Sequence, residues 1–398
     1  MGETTYRLGD EDIGHTIPMN ATEVAIWRTM APMFDMDSLR EYTQTLGFEV
    51  LGCAPVEPLG HGWFAPHVAR FETWLAEGRH GEMAYMAARA GERVVPEQLL
   101  PGVRSAIVLW LPHRTPVQPR PPHGLGRVAA YAWGRDYHNV ARKALRKLRR
   151  WFAEHAPTGQ VYACVDTGPV LERAFGERAG VGWIGRSTML IHQRFGTFGS
   201  LAVIFTTLDL PTADAAHPNR CGTCTDCVDL CPTGALDAGG LDARKCISYW
   251  TIEHRGIIPR EIRTGLGEWV FGCDICQDVC PWNHRAPRAD PALWRPKPEH
   301  AWPDLVSWLN MSADALEETL IGSPMRRARG QGLRRNALIV LANTGYRAAL
   351  PEIERLVVED PDPVIRATAT WAARTLGSER IVALAAADAD PRVRAEAE

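Results

Sequence analysis

The chain has 398 residues, 45% of them hydrophobic, and a formal net charge of −3. That is enough for two or three domains with a sizeable core, and it excludes a global polycation, so any nucleic-acid contact has to come from a local basic face. No apolar run reaches the ~18 residues of a membrane span, and residues 1–20 lack an apolar stretch flanked by positive charge, so neither a membrane segment nor a signal peptide is expected.

The polar opening MGETTYRLGDEDIGHT reads as a frayed terminus, and residues 1–34 as an N-terminal extension. DSLREYTQTLGFE and RFETWLAEGRHGEMAYMAARAGER then show helical patterns broken by glycine. SAIVLWLP (105–112) reads as a buried strand bounded by turn residues. A proline-rich loop, 113–124, precedes NVARKALRKLRRWFAEH, an amphipathic helix. Further strands are expected at QVYACVDT (160–167), STMLIH (187–192) and SLAVIFTTL (200–208), with helix LERAFGERAG between the first two. Helices alternating with apolar strands predict an α/β domain over 35–210.

Residues 211–290 are rich in Gly, Pro and Asp with little periodicity, as expected of a subdomain organised by metal. From about 300 the chain turns Ala- and Leu-rich. DPDPVIRA (360–367) recurs as DADPRVRA (388–395), which predicts HEAT-like helical repeats over 300–398.

Eight of the ten cysteines lie between 221 and 280. A secreted disulfide protein would be smaller and would spread them, so the clustering points to metal ligands in a reducing, cytoplasmic compartment. Cys53 and Cys164 stand apart and read as small buried hydrophobes. Cys221, Cys224, Cys227 and Cys231 follow C-x2-C-x2-C-x3-C-P, the bacterial ferredoxin run. Cys246, Cys273, Cys276 and Cys280 form a second set, also ending in Cys-Pro. Eight thiolates suit two 4Fe–4S clusters. The cysteine before proline leads away from its own cluster and ligates the other one, so Cys280 is expected to join Cys221, Cys224 and Cys227. Cys231 then joins Cys246, Cys273 and Cys276. Two zinc sites are the alternative, disfavoured by the triple x2 spacing. No G-x-G-x-x-G lies between a strand and a helix, so no nicotinamide or flavin site is evident. DYHNVA (136–141) nearly meets the cobalamin signature D-x-H-x-x-G, with Ala141 in place of Gly.

VDTGPVLERAFGERAGVGWIGRSTMLI (165–191), with ERVVP (92–96), AWGRDYH (132–138), RKCISYWTIE (244–253) and FGCDICQDVCPWN (271–283), resembles the epoxyqueuosine reductases. The resemblance runs in order from about residue 35 to the end. It implies a cytoplasmic oxidoreductase of tRNA processing that completes queuosine biosynthesis by removing the epoxide oxygen of epoxyqueuosine in the anticodon loop. It implies cobalamin and two 4Fe–4S clusters, on a core shared with reductive dehalogenases. The implied proton donor, beside the cobalamin, is Asp166. Implied cobalamin contacts are Arg93, Ala129, Asp166, Leu190, Leu201, Ser248, Asp274 and Ile275. The family uses no lower-axial histidine, so DYHNVA is not read as one. Arg186-Ser187 stand where Lys-Asn is expected, exchanging a point charge for a planar fork.

Opening an epoxide to an alkene consumes two electrons and two protons and releases water. A carboxylic acid supplies a proton to the departing oxygen, so Asp166 is expected to be neutral near pH 7, raised above about 3.9 by burial away from cations. Phosphate contacts are expected from Arg142, Arg146, Lys147 and Arg150 on the basic helix, and from Arg334 and Arg335 in MRRARGQGLRR (325–335). The expected partners are tRNA bearing epoxyqueuosine and an external one-electron donor of flavodoxin or ferredoxin type, with the enzyme a monomer. Two other readings compete. A cobalamin and iron–sulfur reductive dehalogenase acting on a small molecule would need no basic repeats. A plain electron-transfer protein would need no large domain before the clusters.

Overall fold

The computed structural model describes residues 34–57, 62–116 and 123–398. The expected N-terminal extension, save Phe34, and half of the proline-rich loop (117–122) fall outside them. Four strands form the central sheet, in the order Val50–Pro55, Ser105–Pro112, Gly199–Thr206, Val161–Val165. Every neighbouring pair is antiparallel. The alternation of helices and strands predicts an α/β domain without fixing strand direction, and the pairing shows the sheet to be wholly antiparallel. Strands covered on both faces give the same apolar string whichever way they run, and Ser105–Pro112 is buried at every residue. Its side chains alternate as a strand requires. Ile107, Leu109 and Leu111 enter one core with Leu145, Leu148 and Phe152. Ala106, Val108 and Trp110 enter the other with Phe64, Phe71 and Phe175.

STMLIH does not join this sheet; only Leu190–Ile191 is extended, paired with Trp183–Ile184 in a small hairpin. The basic helix spans Tyr137–His155, capped by the Asp136 side chain, and buries Ala141, Ala144, Leu145, Leu148, Trp151 and Phe152. Cys53 and Cys164 are buried, as expected.

The cysteine segment has only short elements, among them helices Asp226–Asp229, Ile247–Ile252 and Ile275–Asp278. Beyond it, helices pack in succession, including Arg329–Asn343, Leu350–Glu359, Pro363–Thr375, Glu379–Ala385 and Pro391–Ala397. The repeated Asp-Pro motif is a capping device. Asp362 accepts from Val364 N and Asp390 from Arg392 N, each with proline in the first turn. Arg366 and Arg394 make matching bonds to the carbonyls of Asp360 and Asp388.

The helix Arg329–Asn343 is buried along most of its length and joins the repeats to the cysteine segment. Arg335 donates to the carbonyls of Trp250, His254 and Gly256, and Asn336 to those of Thr251 and Val270. Arg263 pairs with Glu396 at 2.6 Å, with both side chains buried. No helix among the described residues is long and apolar enough to cross a membrane.

Candidate active site and metal centre

Strand Val161–Val165 ends at Asp166, whose φ of 50° is unusual for a residue with a Cβ. The chain turns tightly there, and at Gly168 a Cβ would come within 2.5 Å of the Cys164 side chain. This turn presents the carboxylate to the start of the basic helix. Asp166 Oδ2 accepts from the Tyr137 hydroxyl at 2.7 Å and lies 3.0 Å from His138 Nε2. His138 Nδ1 is 2.8 Å from Asp136 Oδ1, and Asp136 is also the cap of that helix. Asp166 Oδ1 has no hydrogen-bond partner among the described residues. The Asp166 side chain is 60% accessible: protein rings it and one side stays open.

These contacts fix the charges. Burial alone would lower the His138 imidazole, but its bonds to Asp136 and Asp166 raise it to about 9. Burial pulls the Asp166 carboxyl upward, yet the bonds from His138 and Tyr137 and the charges of His138 and Arg327 hold it below the ordinary carboxylate range. A neutral Asp166 is therefore not what the protein alone produces. That expectation assumed no cation nearby, and an imidazolium touches the carboxylate. With both ring nitrogens engaged by carboxylates, His138 is not free to ligate a metal.

Sequence reasoning missed two further features. Glu172, in VLER, is raised to about 8 by burial and then by the charge of Asp166, and its Oε1 is buried without a hydrogen bond. Arg327 pairs with Glu253 at 2.8 Å and stands over the exposed Tyr85 ring, 5.4 Å from its centroid. Its place in the basic run at 325–335 was the available signal.

The residues implied as cobalamin contacts fall into two groups. Leu190 and Leu201 belong to a core beside the sheet. Arg93 is buried, and its Nε has no partner, which fits a cation placed to receive a polar group from a bound cofactor. Ala129 and Ile275 pack with Cys246 and Cys273. Ser248 is half-buried. The buried Asp274 accepts from Ala130 N at 2.6 Å and from Gln277 Nε2 at 2.9 Å. Tyr131 connects the second group to Asp166 through its edge-on contact with Tyr137, centroids 5.8 Å apart.

The cysteines gather in space across the two sequence runs. Cys280 packs in one group with Cys221, Trp183 and Trp282, and lies within electrostatic reach of Cys221 and Cys224. Cys246 is within electrostatic reach of Cys231, and Cys273 of Cys246 and Cys276. Cys276 faces both groups: it neighbours Cys246, Cys227 and Cys231 and also lines the cavity shared by Cys221, Cys224, Cys227 and Cys280. No three His, Cys, Asp or Glu side chains among the described residues converge tightly enough for a single metal ion.

The basic residues divide sharply. Arg142, Arg146, Lys147 and Arg150 are exposed, opposite the buried stripe of their helix. Arg334 and Arg335 are 7% and 1% exposed. Arg334 pairs with buried Asp360 at 2.7 Å, and Arg335 is consumed by backbone carbonyls. Neither can meet a phosphate, which corrects the expectation for this pair. The exposed members of that run are Arg326, Arg327 and Arg329.

The family described as "Epoxyqueuosine reductase QueG, DUF1730" matches residues 93–167. A 4Fe-4S double cluster binding domain matches 220–283 and HEAT repeats match 325–398. Epoxyqueuosine reductase of Pseudomonas aeruginosa is 38% identical over 85% of this chain and 94% of its own length. That of Gloeobacter violaceus is 40% identical over 77% and 96%. A crystal structure of epoxyqueuosine reductase with an epoxyqueuosine-modified tRNA-Tyr stem loop superposes with a TM-score of 0.82, at 31% identity, over 91% of this chain and 96% of that one. The Streptococcus thermophilus enzyme gives 0.80 at 26% identity, over 92% and 98%. With relatives this similar over nearly their whole length, the chain belongs to the epoxyqueuosine reductase family.

Proposed function

We propose that this protein reduces epoxyqueuosine to queuosine in the anticodon loop of tRNA, with Asp166 delivering the proton to the departing oxygen. The observation that carries the reading is the Asp136–His138–Asp166 chain, which ends in a carboxylate open on one side. The reaction breaks both C–O bonds of the epoxide. It consumes two electrons and two protons and yields an alkene and water.

Oδ2 of Asp166 is held by Tyr137 and His138, which leaves Oδ1 to meet the substrate. Because Asp166 is ionised, each proton starts on the His138 imidazolium, passes through the Asp166 carboxylate to the epoxide oxygen as charge grows there, and is replaced on His138 from water. Asp136 steadies that imidazolium through Nδ1. One carboxyl thereby serves both protonations of the leaving oxygen. Tyr137 orients Oδ2 and stays protonated, since burial and then the Asp166 charge push its phenol upward.

When bound, cobalamin supplies a strongly nucleophilic reduced cobalt. Arg93, Ala129, Leu190, Leu201, Ser248, Asp274 and Ile275 would hold it, with Asp166 beside it. One 4Fe–4S cluster belongs to Cys221, Cys224, Cys227 and Cys280, and the other to Cys231, Cys246, Cys273 and Cys276. An external one-electron donor of flavodoxin or ferredoxin type reloads them. The working divisions are a catalytic domain over 35–210, a two-cluster domain over 211–290 and a repeat domain over 300–398, in a cytoplasmic monomer. Arg142, Arg146, Lys147 and Arg150 bind the tRNA backbone. The test is single-turnover conversion of epoxyqueuosine tRNA by reconstituted, chemically reduced enzyme. Formation of queuosine is expected; an unchanged nucleoside with fully reduced clusters would overturn the reading.

A further inference from the structure

Away from Asp166, an open cleft of about 500 Å³ is lined by Gly180, Val181, His192, Gln193, Arg194 and His217. Its wall leads toward the cysteines. The His217 ring stacks on Trp183, centroids 5.1 Å apart. Trp183 is fully buried and meets Trp282 edge-on at 4.8 Å. Trp183 and Trp282 pack in one group with Cys221 and Cys280. A path of aromatic rings thus joins an open surface to the ligands assigned to one cluster.

Arg194 lines the cleft, Arg186 lines the cysteine cavity, and Arg220 directly precedes Cys221. Arg186, Arg194 and Arg220 are exposed and have no ion-pair partner among the described residues. Asp226 is the one carboxylate among the described residues lining either this cleft or the adjoining cysteine cavity. His192 adds no charge at neutral pH, because burial and then the His217 and Arg194 charges push it down to about 4. Its role is mechanical. Nδ1 accepts from the backbone N–H groups of Arg194 and Phe195 at 3.0 and 3.1 Å, fixing the turn that presents Arg194. In the other cysteine group, Cys246 and Cys273 pack against Ala129 and Ile275.

We infer that this face, formed by the cleft with Arg194 and by Arg186 and Arg220 beside Cys221, is the docking surface for an acidic one-electron carrier protein. Electrons enter the cluster of Cys221, Cys224, Cys227 and Cys280 and pass on to the second. The inference rests on the proposed cluster assignment. Electron transfer weakens steeply with distance, so a carrier has to dock where a cluster lies just beneath the surface. Unpaired arginines around that point draw in an acidic partner and speed its encounter.

The test uses reconstituted holoenzyme, with cluster bleaching followed by stopped-flow absorbance. Photoreduced flavodoxin is the donor in one arm and dithionite in the other. The double variant Arg194→Glu, Arg220→Glu should slow reduction by flavodoxin about 10- to 100-fold, the range of electrostatic steering. It should also flatten the salt dependence and leave reduction by dithionite unchanged. Arg40→Glu, on another face, should behave as wild type. Equal flavodoxin rates for double variant and wild type would overturn the proposal, as would equal slowing with both donors or no reduction of wild type by flavodoxin. Conversion of epoxyqueuosine tRNA by dithionite-reduced enzyme is measured separately, so its failure counts against the proposed reaction and not against the docking face.

Discussion

Asp166 is held in a left-handed backbone conformation, which costs of order 1–3 kcal/mol and persists where the surroundings require it. The surroundings here are Tyr137 and His138, both bonded to Oδ2. Asp166→Asn keeps the shape but loses the acid. Single-turnover conversion by chemically reduced enzyme should fall by about 10²–10⁴, with tRNA affinity and cluster reduction intact; near-normal conversion would leave Asp166 as a turn residue. His138 gives a second prediction. Its folded pKa of about 9 lies above the ordinary 6.5, so its contribution to stability is complete below 6.5 and is lost as pH rises through about 9. Conversion should follow the same limb, because only the imidazolium reloads Asp166. NMR titration of His138 checks the value, and His138→Gln should abolish that limb. Turn chemistry is what VDTG shows by itself; the family resemblance alone singled out Asp166 as an acid, and its charge state was not legible. The neighbour that decides the charge stands 28 positions upstream and 3.0 Å away, and no spacing rule places it there.

At the scale of elements, the two basic helices show when charge in a sequence is informative. In the helix Tyr137–His155 apolar residues recur at helical spacing, so the charged face could be read as outward, and Arg146, Lys147 and Arg150 are exposed. Changing these three to Ala should weaken tRNA binding. It should also reduce the slope of log affinity against log salt by about 0.7–0.9 for each phosphate that the variant no longer neutralises; an unchanged slope would make this face merely solvated. The helix Arg329–Asn343 lacks a clear polar face because it is enclosed by the repeats and the cysteine segment. There Arg335 is a structural bolt through three carbonyls, and the sequence offered only a cluster of positive charge. Arg335→Ala should therefore destabilise the fold by roughly 1.5–3 kcal/mol or more, since its charged hydrogen bonds would be gone, and lower the midpoint of thermal unfolding. Salt-dependent weakening of tRNA binding with unchanged stability would contradict this. The sheet was legible as strands but not in its pairing, since burial on both faces erases the alternation that would mark direction.

For the whole molecule, the cysteine segment is the junction. Arg335 and Asn336 fasten the repeats to it, and Arg263 with Glu396 closes the far end. On its other side, Asp274 and Ala130 connect it toward the Asp166 site. The order of events across the molecule therefore depends on which cysteines share a cluster. Eight thiolates predict about eight irons and eight sulfides per reconstituted chain; four irons, or zinc, would refute two clusters. Single substitutions then decide the pairing. If Cys280 completes the set of Cys221, Cys224 and Cys227, Cys280→Ser and Cys221→Ser should perturb the same electron paramagnetic resonance signal and leave the other. Cys231→Ser should instead resemble Cys246→Ser. Sequential pairing makes the opposite prediction, with Cys231→Ser resembling Cys221→Ser. The packing of Cys280 against Cys221 and the nearness of Cys231 to Cys246 favour the crossed result. Crossed ligation also has a mechanical consequence. Each cluster then ties the first cysteine run to the second, so losing one should loosen both runs, and chelation of iron should lower the unfolding temperature of the whole segment.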